Sequence, residues 1–133
     1  MADDAGGAPY HAHIYYAAHQ RDVAATLRAK LLAARPGEPM SGLRFVGELR
    51  DRKVGPHITS QFEIHFEAWL LPAVEAELAD HGLPILLHPL TLDDLADHTS
   101  LARWIGTPLE LDLTVLDPPG VNQGFARFAR TDF

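Results

Sequence analysis

The order in which strand and helix periodicities follow one another limits the folds open to this chain more than any other feature. Ser60 to Phe66 alternates most clearly, with Phe62, Ile64 and Phe66 on one side and Gln61, Glu63 and His65 on the other. Tyr10 to Tyr16 does the same, pointing His11, His13 and Tyr15 to one face and Ala12, Ile14 and Tyr16 to the opposite one. Leu43 to Leu49 has strand character, with Leu43 and Phe45 against Arg44, Val46 and Glu48, and Pro84 to His88 is a largely apolar strand. Between these runs, Val23, Leu27 and Leu31 recur every four residues and predict a helix from Gln20 to Ala34, stopped by Pro36-Gly37 and Pro39. A second stripe, Leu70, Val74 and Leu78, predicts a helix with Pro72 in its first turn and Gly82 as a left-handed cap. Asp93 to Ile105 has short helical promise, and Leu109 to Val115 alternates enough for a short fifth strand.

Strand, helix, strand, strand, helix, strand is the split βαβ pattern of the ferredoxin-like sandwich, an α+β fold. It implies an antiparallel sheet in the order fourth-first-third-second, with both helices on one face and the other face free. In this reading the first and third strands run parallel and the fourth runs opposite to the first. At 133 residues one domain is expected, covering 10–117. Residues 1–9 read as a flexible leader. Residues 118–133, with Phe125, Phe128 and Phe133, read as an arm that must dock somewhere.

Composition removes several functions. Zero cysteine excludes disulfides, thiolate ligands, iron–sulfur clusters and cysteine nucleophiles, so any metal must be held by nitrogen and oxygen. A formal charge of −7 opposes nucleic-acid binding. No apolar run approaches the length of a membrane span and no signal peptide precedes the domain, so the expected address is the cytoplasm. The local basic group Arg44, Arg50, Arg52 and Lys53 is either a solvated loop or a place to meet a carboxylated small molecule.

Burial drives Ala12/Ile14/Tyr16, Leu43/Phe45, Phe62/Ile64/Phe66 and Ile85/Leu87 toward the helices. By parity, the opposite face carries His11, His13, Tyr15, Gln61, Glu63, His65 and His88 on three adjacent strands. The assumed strand directions bring His11, His13, His57, Glu63 and His88 to one corner. Three imidazoles, or two with a carboxylate, suit a divalent transition metal that keeps open positions. Glu63 fits either as a ligand or as a hydrogen-bond partner of one. His65 reads as a sheet-surface residue away from the corner, and His98 as an acid–base residue or a helix-start element. The alternative is that these histidines are polar residues on the wet side of a sheet.

Three segments resemble the DOPA 4,5-dioxygenase family: HAHIYY at His11 to Tyr16, GPHITSQFEIHF at Gly55 to Phe66, and LLHPLTLDDLADHTSLARWIGTPLELD at Leu86 to Asp112. The resemblance implies a dimeric ferredoxin-like subunit that cleaves a catechol, such as 3,4-dihydroxyphenylalanine, by extradiol chemistry with molecular oxygen and non-haem Fe(II). Zinc or nickel could take the place of iron in purified protein. On that footing the expected ligands are His13, His57 and His88, with His11 or Glu63 next. His98 is the acid–base group, Tyr15 orients substrate, and Arg44 or Arg52 pairs with its carboxylate. The competing class is a non-catalytic dimeric binding module with a structural or adventitious metal.

Overall fold

The computed structural model describes residues 7–53, 55–118 and 128. The start of the expected leader, residues 1–6, lies outside them, as does the expected arm apart from Pro118 and Phe128. The elements run β1 (Pro9–Tyr15), α1 (Arg21–Leu32), β2 (Phe45–Val46), β3 (Gln61–Glu67), α2 (Leu71–Leu78), β4 (Ile85–Pro89), α3 (Asp94–Asp97) and β5 (Arg103–Ile105). The five strands form one antiparallel sheet in the order β2-β3-β1-β4-β5. This is the α+β ferredoxin-like sandwich with one strand added beyond β4. No described helix is long and apolar enough to cross a membrane.

Both helices pack on one sheet face. Ala24, Leu27 and Leu31 of α1 and Val74 and Leu78 of α2 share a core with Ala12, Ile14, Tyr16, Phe62, Ile64, Phe66, Ile85 and Leu87. Burial of these side chains, about 25 cal/mol for each Å² taken from water, is what selects the face. The buried stripe of α1 begins at Ala24, while Val23 stays 43% exposed, because a period of 3.6 turns residue 23 away from the line through 24, 27 and 31. Gly82 adopts φ +70° after α2, a conformation that costs glycine little.

Four expectations are corrected. First, β1 and β3 are antiparallel, with His11 opposite His65, His13 opposite Glu63 and Tyr15 opposite Gln61. The reason is topological: β3 follows β2 in sequence and returns between β2 and β1, so it opposes both. Second, Phe45 lies on the histidine face, its ring 4.7 Å from that of His65, while Leu43 and Val46 pack on the core. β2 is only two residues long, so alternation does not extend back to Leu43. Third, the fifth strand is Arg103–Ile105, which places Ile105 against the core and Trp104 over Tyr15. Leu109 to Val115 supplies only a bridge between Leu111 and His57. The Asp112 side chain then accepts from the Thr114 amide and starts a 3-10 turn.

Fourth, the second sheet face is not free. His11, His13, Gln61, Glu63, His65 and His88 are all no more than 3% exposed. The chain that covers them carries His57 and His98, themselves 1% and 6% exposed, and Phe128 is buried as well.

Candidate metal centre

The loop holding His57 is clipped in place by the Asp112 amide, which donates to the Pro56 carbonyl at 2.8 Å, and by the Leu111 bridge. The segment holding His98 is fastened by Asp97. Its carboxylate accepts from the Thr91 hydroxyl at 2.6 Å and the Thr91 amide at 2.9 Å, a link between residues six apart that ties the end of α3 to the loop after β4. The Asp93 side chain caps α3 by accepting from the Ala96 amide, and His98 follows as the C-terminal cap.

Antiparallel pairing spreads the imidazoles along β1 rather than at one corner, and His13 is their hub. Its ring centroid lies 4.0 Å from that of His57 and 5.0 Å from that of His88, and its Nε2 is 2.9 Å from His88 Nε2. Potential ligand atoms converge in three overlapping groups: His11 with His13 and His88, His13 with His57 and His98, and His11 with Glu63 and His65. Within each group the atoms lie within 4.8 Å of one another. His65, expected on the surface, is therefore part of the cluster. Glu63 faces it at 2.6 Å and His11 at 3.5 Å.

Hydrogen-bond partners decide where the ring protons sit. The His88 Nδ1–H donates to the Pro89 carbonyl at 2.8 Å, because a carbonyl can only accept. The His98 Nδ1–H likewise donates to the Asp94 carbonyl at 2.8 Å, with the Asp94 carboxylate 3.3 Å away. Each ring in its neutral form then presents a bare Nε2. That of His98 is buried and has no hydrogen-bond partner among the described residues. Burial, followed by repulsion from neighbouring imidazoles, holds the pKa values of His13, His57 and His88 well below the ordinary 6.5, so these rings are neutral. Buried neutral imidazoles with inward lone pairs are a donor set that fits a divalent cation and leaves its absence costly.

Tyr15 stands 1% exposed with its hydroxyl 2.6 Å from His57 Nδ1. Burial and the nearby Glu63 push its phenol far above the ordinary value, so the hydroxyl keeps its proton and donates it to that nitrogen. Arg44 is exposed; its guanidinium lies 3.6 Å from Glu67 and 5.6 Å from the Phe128 ring, which in turn stacks on His65 at 6.2 Å. Arg52 is exposed on the loop after β2. His81 caps α2 by donating to the Glu77 carbonyl, and His19 is exposed.

Gln61, Asp94 and Asp97 contribute to the site and were not singled out by sequence. Gln61 shares the parity of Glu63, and Asp94 precedes His98 by four residues, the spacing that puts two side chains on one helix face.

The model of the Dopa 4,5-dioxygenase family matches residues 10–115. A crystal structure from Nostoc punctiforme, named provisionally as a dioxygenase, is 32% identical, covers 86% of this chain and 96% of its own, and superposes with a TM-score of 0.72. No curated protein matches the chain.

Proposed function

Because the chain belongs to the Dopa 4,5-dioxygenase family, we propose that it is a metal-dependent extradiol dioxygenase that opens the ring of a catechol such as 3,4-dihydroxyphenylalanine with molecular oxygen, using Fe(II). The observation that carries this reading is the convergence of buried imidazoles around His13, with His13, His57 and His88 neutral and the Nδ1–H of His88 held by the Pro89 carbonyl so that its Nε2 is bare. Bound among them, Fe(II) supplies the path by which electron density passes from a catecholate to dioxygen.

Convergence and hydrogen-bond directions favour His13 and His88 as residues that hold the ion, with His11 the third member of their group, and His98, whose ring lies 4.3 Å from that of His88, the next candidate in the place expected for His57. His57 receives the Tyr15 proton at Nδ1, so its own proton sits on Nε2, where it can be given to a substrate oxygen or a departing product. Tyr15 orients that imidazole. The covering segments that bury the site keep bulk water away from it, which strengthens every charge interaction inside. Arg44, exposed and set over the Phe128 ring that stacks on His65, is our candidate to pair with a substrate carboxylate, with Arg52, also exposed, the second choice.

The test is oxygen uptake by protein loaded anaerobically with Fe(II) and mixed with substituted catechols. Uptake with a yellow ring-opened product, abolished in His13→Ala and His88→Ala, is the expected result. Equal product from metal-free protein overturns the reading.

A further inference from the structure

Gln61 is fully buried at the start of β3, opposite Tyr15, and its side-chain Oε1 lies 3.1 Å from His13 Nδ1. Its amide nitrogen is buried with no hydrogen-bond partner among the described residues. A buried donor left without an acceptor forfeits its hydration with no return, so its presence in a sheet calls for a reason.

The reason lies two bonds further on. His88 carries its proton on Nδ1, facing the Pro89 carbonyl, so it offers only a lone pair to His13 Nε2 at 2.9 Å. With no cation present, that contact is attractive only if His13 donates from Nε2. His13 Nδ1 is then bare and needs a donor, which the Gln61 amide nitrogen can be. With a cation held by both Nε2 atoms, the His13 proton must sit on Nδ1, which needs an acceptor, and Gln61 Oε1 can be that. A primary amide offers both in one shape, by half a turn about its last bond. Oε1 toward Nδ1, as found here, is the cation-ready arrangement.

We propose that Gln61 is a positioning residue for the metal ligand His13: its amide reverses on metal binding and selects which imidazole nitrogen carries the proton. This rests on the reading of His13 as a ligand, and the experiment separates the two. Zn(II), diamagnetic and well suited to imidazole, is the probe, read by nitrogen-15 spectra of the histidine rings and by competition with a chelator. In the wild-type chain, His13 is expected as the Nε2–H tautomer without metal and as the Nδ1–H tautomer with Zn(II). Gln61→Met, which can neither donate nor accept in this way, should weaken Zn(II) binding by about 10- to 100-fold, and Gln61→Glu, a permanent acceptor, should restore it. A purely packing role would not produce that rescue. The same His13 tautomer in both states of a wild-type chain that binds Zn(II) overturns the proposal alone, and so does Gln61→Met binding as tightly as wild type. Wild-type protein that binds no Zn(II), or His13→Ala binding it undiminished, overturns the ligand reading and the proposal with it.

Discussion

His11 and His65 stack face to face across the β1–β3 pair, with ring centroids 3.7 Å apart and planes within 14°, and the Glu63 carboxylate reaches both. The two rings are register partners, so the sheet itself sets their separation. Glu63→Gln keeps the shape and removes the charge that the imidazoles face. Urea denaturation of the metal-free variant should show a loss of about 1–3 kcal/mol. An unchanged midpoint would mean the carboxylate does nothing for the fold.

The metal-free protein should lose stability in weak acid. His13, His57 and His88 have pKa values depressed in the folded chain, whereas the unfolded chain takes up protons below about the ordinary 6.5. The unfolded state therefore binds more protons once the pH drops through 6.5, and the stability present above that pH is lost progressively until the folded imidazoles themselves protonate. Each contributes a slope of at most about 1.4 kcal/mol per pH unit, or about 4 for three together. Denaturation midpoints measured in a chelator from pH 7.5 to 4.5 check this, and a flat profile would contradict it.

Asp97 is the clasp of the segment that covers the site. Asp97→Ala frees the Thr91 amide and hydroxyl, so amides in 90–101 should exchange with solvent about tenfold faster or more, while those of β1 and β3 remain protected. Uniform acceleration along the chain would instead assign Asp97 to global stability.

Tyr15→Phe removes one hydroxyl and keeps the ring, which stacks on Trp104 at 5.9 Å. The loss in stability should be about 1 kcal/mol. Turnover of the Fe(II)-loaded enzyme should fall by about 100-fold, because the His57 proton is no longer held on Nε2. Full turnover in the variant would remove Tyr15 and His57 from the proton path.

Much of this architecture was legible. The alternation of Phe62, Ile64 and Phe66 with Gln61, Glu63 and His65 identified both faces of β3, because burial of apolar area acts on every second residue whatever the strand pairs with. The same parity placed His11, His13 and His88 on one face. Strand direction was not legible in it, since alternation is unchanged when a strand is reversed. The corner expected for His11, His13, His57, Glu63 and His88 is accordingly an extended row, and His65, set aside for its distance, lies within it. Phe45 lies on the side opposite to the one its spacing predicts, because a two-residue strand has too little alternation to carry a parity.

What the amino-acid sequence determined alone was local: which residues alternate, which recur on a helix face, where Gly82 turns the chain, and which imidazoles are available. Period and side-chain chemistry are properties of neighbours along the chain. Only the tertiary structure decided that the histidine face is covered, that His13 meets both His57 and His88, and which ring nitrogens are left bare. Those outcomes depend on partners such as Pro89, Asp94 and Gln61 brought together by folding, and on the removal of water that makes an imidazole neutral and its lone pair available.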